Sequence, residues 1–109
     1  MIETKLGKIQ NIKFGSGGYD NAQFGISFTL GGEGWGVGDF RGEWSGEPSR
    51  NALWTKEDRQ ERFGGIMVWI MDLMATAKVN DITRLADIPV EVTFDGNTLK
   101  SWRILTEVL

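Results

Sequence analysis

Glycine occupies every second position from 32 to 38, in a stretch whose flanks alternate as β-strands do. Just before it, apolar residues fall on every second position from Phe24 to Leu30, which is the period of a half-buried strand. Glycine within a strand costs roughly 0.5 to 1 kcal/mol relative to alanine. The repeat therefore predicts that something approaches the backbone closely: a ligand, a large ring from the same core, or another chain.

The two flanks predict a β-hairpin, with strands over 22–30 and 35–44 joined by a glycine-rich turn. Alternation assigns the residues of the returning strand to two faces. One face carries Gly36, Gly38, Phe40, Gly42 and Trp44. The other face carries Trp35, Val37, Asp39, Arg41 and Glu43. A bulge in the strand would exchange the two sets.

The rest of the chain predicts three more strands and one long helix. A first strand covers 2–14, with a bulge at Gly7, and the Gly/Ser cluster 15–18 is a loop. Thr55 caps a helix over 56–78, 80–87 form a turn or short helix, and strands over 89–94 and 98–108 flank the hairpin turn Asp95-Gly96.

We therefore expect a single α+β domain over 1–109, in the order β-β-β-α-β-β. Its five strands form an antiparallel sheet or a partly open barrel, on which one long amphipathic helix packs. An oligonucleotide-binding barrel also places its helix between the third and fourth strands.

One helix face contains a pair of glycines, each of which costs about 1 kcal/mol in a helix relative to alanine. Gly64 and Gly65 lie beside Val68 and Trp69, which project away from the main apolar stripe. This arrangement predicts either a homo-oligomer contact through these four residues or cover from a neighbouring strand or loop.

Composition removes several classes of chemistry. The chain contains neither cysteine nor histidine, which excludes disulfides, thiol nucleophiles, the usual zinc sites and the usual general base near neutral pH. We expect a protein that is not an enzyme and that needs no cofactor or metal; an enzyme acting through carboxylates alone is the competing interpretation. The net charge of −3 disfavours binding of nucleic acid mainly through phosphates.

No apolar run in the sequence is long enough for a signal peptide or a membrane span, so we expect a cytoplasmic protein.

Candidate ligand-binding residues come from the hairpin and from the polar patch before it. Trp35 and Trp44 are expected to stack on a planar group, Asp39 to make a polar contact and Arg41 to contact an anion. Tyr19 and Asp20 are the next candidates. The alternatives are that the indoles belong to the core and that Asp39 and Arg41 form a solvated surface pair.

Three blocks of sequence carry a resemblance: GISFTLGGEGWGVGDF, the capped helix after Trp54, and the ending PVEVTFDGNTLKSWRILTEVL. Together they resemble a family of small uncharacterised proteins of phages and prophages. The resemblance implies action in the host cytoplasm, in a setting where small accessory proteins often act by binding. We expect a host-defence antagonist that holds a nucleotide-like molecule or a host protein. The alternative is an accessory protein that binds single-stranded nucleic acid.

Overall fold

Five strands and one long helix make up the fold in a computed structural model that describes all residues, 1–109. The strands are β1 (Ile2–Gly17), β2 (Gln23–Gly32), β3 (Trp35–Trp44), β4 (Pro89–Asp95) and β5 (Thr98–Ile104). The helix α1 spans Lys56–Ala77, and short 3-10 helices cover Tyr19–Asn21, Ile82–Leu85 and Thr106–Val108. All strand pairs are antiparallel in the order β3-β2-β1-β4-β5, which confirms the predicted fold class. The sheet is open, since β3 and β5 form its edges.

The central strand β1 is long enough to pair with two neighbours over different parts of its length. Its second part, from Lys8 to Gly17, pairs with β2, and its first part, from Ile2 to Lys8, pairs with β4. The predicted bulge at Gly7 was wrong, because the register shifts between Ile9 and Asn11 instead. The predicted loop over 15–18 was also placed too early, since β1 continues through Gly17 by pairing with the start of β2.

The hydrophobic core lies between α1 and one face of the sheet. Seven side chains are completely or almost completely buried there: Ile9, Ile26, Phe28, Leu30, Leu85, Val90 and Val92. Phe28 contacts the rings of Trp69 and Trp102 at centroid distances of 5.6 and 5.5 Å. Trp69 therefore faces the sheet, and only Gly64, Gly65 and Val68 of the predicted oligomer contact are on the exposed side of the helix.

A capping box begins the helix, as the sequence predicts. The Thr55 Oγ1 accepts a hydrogen bond from the Asp58 backbone N–H at 3.1 Å, and the Thr55 N–H donates to the Asp58 carboxylate at 2.9 Å. Lys78 caps the other end in the left-handed conformation, with φ of 59°. The two reciprocal hydrogen bonds between Thr55 and Asp58 fix where the helix begins and therefore which of its faces meets the sheet.

The last strand is shorter than predicted, since β5 ends at Ile104 and not at 108. The Leu105 N–H still donates to the Pro89 carbonyl at 2.9 Å. Pro89 is the first residue of β4, so β4 has no residue left to pair with the chain after Leu105. The chain then turns into a 3-10 helix. Arg103 holds this turn by donating to the Glu107 carboxylate at 2.7 and 2.9 Å and to Glu91 at 3.1 Å.

The contact with Arg103 lowers the pKa of Glu107 from 4.5 to about 2, mainly because the guanidinium donates hydrogen bonds to the ionised carboxylate. The Glu107 contribution to stability is therefore present above pH 4.5 and is lost as the pH falls toward about 2. We expect Glu107→Gln to reduce the loss of stability on acidification, measured by urea unfolding on both sides of pH 4.5. Glu33→Gln in the exposed β2–β3 turn is the control, and identical pH profiles for the Glu107 variant and the parent protein would contradict the assignment.

Candidate ligand-binding face

The hairpin of β2 and β3 has two faces with different surroundings. Ile26, Phe28 and Leu30 are buried under the helix, so their cross-strand partners Arg41, Asp39 and Val37 share the helix-facing side. The alternate residues of β3 lie on the opposite side of the sheet, where no helix packs. We call this opposite side, over β1, β2 and β3, the open face.

Trp35 lies on the helix-facing side, and its ring explains two of the glycines. A Cβ at Gly32 would lie 2.7 Å from Trp35 Nε1, and a Cβ at Gly7 would lie 2.8 Å from Trp35 Cζ2 and closer still to the Gly31 carbonyl oxygen. The ring also meets Phe94 edge to face at 5.7 Å, and Lys5 Nζ lies 5.7 Å from its centroid. Part of the glycine pattern therefore accommodates a ring of the protein itself.

Asp39 and Arg41 are likewise occupied by contacts within the protein. The Asp39 carboxylate accepts a hydrogen bond from Trp102 Nε1 at 2.7 Å and one from Arg41 Nε at 3.4 Å. The Arg41 guanidinium carbon lies 3.8 Å from the centroid of the Trp69 ring. Through these contacts the two side chains join β3 to β5 and to α1. A role in ligand binding for Trp35, Asp39 and Arg41 stays a prediction.

The other three candidates, Trp44, Tyr19 and Asp20, lie at one end of the sheet, and Trp44 belongs to the open face. Trp44 is 36% exposed, and Tyr19, in the turn between β1 and β2, is 82% exposed. Asp20 lies in the same turn with φ of 54°. Ser45 N–H donates to the Ala22 carbonyl at 2.9 Å and so holds this turn beside the end of β3. The six predicted residues thus form two groups, one on the helix-facing side of the sheet and one at the end of the sheet where β3 meets the β1–β2 turn.

Cross-strand rows define the chemistry of the open face. One row is Lys13, Ser27 and Phe40, and the next is Asn11, Thr29 and Gly38. In the first row the small Ser27 side chain therefore lies between Lys13 on β1 and the Phe40 ring on β3. Adjacent strands are about 4.8 Å apart, which places the two ends of a row roughly 10 Å apart.

Bare backbone remains on this face at two positions. A Cβ at Gly38 would meet no atom within 4 Å, and a Cβ at Gly36 would meet only the Leu30 carbonyl oxygen, at 3.8 Å. Gly25 and Gly42 differ, because a Cβ at either would collide with the backbone of the paired strand. Gly36 and Gly38 are therefore the two glycines of β3 that no close contact within the protein explains.

A cavity of about 140 Å³ opens on the same face. The Phe40 ring forms one side by lying over Gly17, where a Cβ would be 2.8 Å from Phe40 Cε1, and Lys13 and Ser27 complete the polar lining. The remaining lining residues are Gly15, Ser16, Gly17 and Gly18. Lys13 and Ser27 were not predicted as site residues, because the pairing of β1 with β2 cannot be read from local patterns. The available signals were the cluster of Lys5, Lys8 and Lys13 near the start of the chain and the position of Phe40 on the glycine face.

The charge on this face is positive. Lys8 and Lys13 have no carboxylate within 4.0 Å, whereas Asp39 and Glu43 of β3 pair with arginines on the helix-facing side. Lys8 and Asp87 line the same neighbouring surface depression without forming an ion pair. The face thus offers two unpaired ammonium groups, of which Lys13 lines a cavity together with the Phe40 ring.

No protein-family model, curated protein or solved structure matches this chain. No group of three or more acidic side chains is arranged to hold a metal ion. None of the helices has both the length and the apolar character needed to cross a lipid bilayer. Function is therefore inferred from the geometry of the molecule itself.

Proposed function

We propose that this protein is a small non-catalytic binding protein that holds a nucleotide-like ligand on its open face. The observation that carries the proposal is the cavity between Lys13 and Phe40, which has an unpaired cation on one side, an aromatic ring on the other and glycine backbone around it. A nucleotide combines a planar base with a phosphate, and these two groups need such partners.

Each part of the ligand has a partner on the face. Lys13 would pair with a phosphate, the Ser27 hydroxyl would donate to it, and the Phe40 ring would contact the base. The cavity of about 140 Å³ is smaller than the 300 to 1,000 Å³ usual for drug-sized ligands, so it receives one group of the ligand. The rest of the ligand would lie over the bare backbone at Gly36 and Gly38.

The setting follows from the resemblance to phage and prophage proteins. We propose that the protein acts in the host cytoplasm and that sequestering a nucleotide signal would antagonise a host defence. Such a role needs binding and no chemistry, in keeping with a sequence without histidine or cysteine. A host protein on the same face is the other form of this proposal.

The test is a thermal-shift screen of linear and cyclic nucleotides, followed by calorimetric titration of those that stabilise the protein. We expect Lys13→Ala and Phe40→Leu each to raise the Kd about tenfold, the effect of losing one good contact. Lys100→Ala, which removes the same charge from β5, is the matched control. If no nucleotide raises the melting temperature, the nucleotide form of the proposal fails.

A second candidate function is binding of single-stranded nucleic acid. Two features favour this candidate: β1 pairs with both β2 and β4, and the helix follows β3. Oligonucleotide-binding barrels share these features and bind their ligands on the face of strands 2 and 3. If the two unpaired lysines of the open face each contact a phosphate, the logarithm of the association constant should fall with the logarithm of the salt concentration with a slope of about −1.4. Affinity that grows with oligonucleotide length would support this candidate, and equal affinity for mononucleotides and longer strands would exclude it.

A further inference from the structure

The exposed side of α1 carries a regular line of residues spaced alternately three and four apart. The line, which we call the helix seam, consists of Glu61, Gly64, Val68, Met71, Ala75 and Lys78, and all six are exposed. Val68 and Met71 at its centre are 55% and 65% exposed. This is the spacing with which one helix packs along another in a coiled coil.

We propose that the helix seam joins two copies of this chain in an antiparallel dimer. A two-fold axis between residues 69 and 70 places Val68 against the partner's Met71 and Gly64 against the partner's Ala75. At both ends of the contact, Glu61 then meets the partner's Lys78. The contact is self-complementary, as a two-fold interface requires.

Charge is the reason to assign the seam to a second copy. The two ends of the seam carry opposite charges, and neither Glu61 nor Lys78 forms an ion pair within the chain. Antiparallel pairing neutralises both ends at once, whereas parallel pairing would bring like charges together. Gly64 has no neighbouring atom within 4 Å of where a Cβ would be, so the backbone there is accessible to a second helix.

An apolar groove beside the seam enlarges the contact. It has a volume of about 270 Å³ and is lined by Phe14, Phe24, Gly25, Phe63, Ile66 and Met67. Phe14, Phe24 and Met67 are 52%, 39% and 55% exposed. With Val68 and Met71, these side chains present on the order of 500 Å² of apolar surface. A stable interface buries about 800 Å² per partner, so the seam and groove supply more than half of it.

The dimer is independent of the proposed ligand, because α1 and the open face lie on opposite sides of the sheet. A dimer would carry two ligand-binding faces that both point away from the contact. The proposal keeps Gly64 and Val68 of the predicted oligomer contact, omits Gly65 and Trp69, and adds Glu61, Met71, Ala75 and Lys78. Trp69 is omitted because it packs against Phe28 and Trp102 in the core.

Sedimentation velocity over a concentration series tests the proposal with the full chain. We expect a reversible dimer whose Kd rises about tenfold in Glu61→Lys and in Lys78→Glu, because each reversal turns two attractive pairs into repulsive ones. The double variant carrying both reversals should recover the parent Kd. Met71→Glu should give a monomer, and Glu33→Lys, with the same charge change far from the helix, should leave the dimer intact.

Far-UV circular dichroism confirms that each variant is folded. A parent protein that stays monomeric at every concentration would overturn the proposal. A double variant that dimerises no better than the single variants would overturn the antiparallel arrangement, and a Met71→Glu variant that still dimerises would place the contact elsewhere.

Discussion

Gly25→Ala is expected to destabilise the protein by about 3 kcal/mol, the upper range for overpacking a tightly packed site. Gly25 pairs directly with Gly42 across β2 and β3. A Cβ at Gly25 would lie 2.0 Å from the Arg41 carbonyl oxygen and 2.5 Å from the Gly42 Cα. These are backbone atoms of a paired strand, so relief requires the two strands to separate locally. Urea unfolding followed by tryptophan fluorescence measures the change.

Gly38→Ala is the matched control in the same hairpin. A Cβ at Gly38 would meet no atom within 4 Å, and its φ is not in the left-handed region. We expect the free energy of unfolding to stay the same or to rise by up to about 1 kcal/mol, because alanine restricts the unfolded chain. Equal effects of the two substitutions would show that strand propensity, and not close backbone contact, determines where glycine is needed.

Phe28→Ala is expected to lower the free energy of unfolding by about 3 to 5 kcal/mol, the usual cost of removing a buried phenyl ring. Phe28 is completely buried, and its ring holds Trp69 of the helix and Trp102 of β5 in place. Loss of this ring leaves a cavity where the helix meets the sheet. Near-UV circular dichroism should weaken as both indoles lose their fixed surroundings.

Phe14→Ala removes the same atoms from a side chain that is 52% exposed. At protein concentrations below those that favour a dimer, its expected cost is about 1 kcal/mol, because about half of the side chain already contacts water. A loss for Phe28→Ala no larger than that for Phe14→Ala would contradict the position of Phe28 at the centre of the core.

The fold was predictable because its signals are local. The alternation of apolar residues from Phe24 to Leu30 identifies a strand, and the capping residues Thr55 and Asp58 identify where the helix begins. Asp95-Gly96 defines the last hairpin. Each of these signals depends on residues within a few positions of one another, and the element order follows once each segment is identified.

Long-range pairing was not predictable, and the candidate site depends on it. Lys13 lies opposite Ser27, which lies opposite Phe40, only because of the register that follows the irregularity after Ile9. The sequence separated the two faces of β3 correctly, but it could not show that Trp35, Asp39 and Arg41 lie on the side of the sheet where α1 packs. The position of Trp69 along the helix also did not show whether its side chain faces the sheet or solvent. Its contacts with Phe28 and Trp102 show that it faces the sheet.

The division of β1 between two neighbours affects the order of folding. Its second part pairs with β2, which follows closely along the chain, so β1, β2 and β3 can assemble early as a three-stranded meander. Its first part pairs with β4 across more than eighty residues, and this distant closure is entropically slow. On the ribosome, the first part of β1 waits with one edge unpaired until β4 has emerged, and an unpaired strand edge exposes the nascent chain to aggregation during that interval.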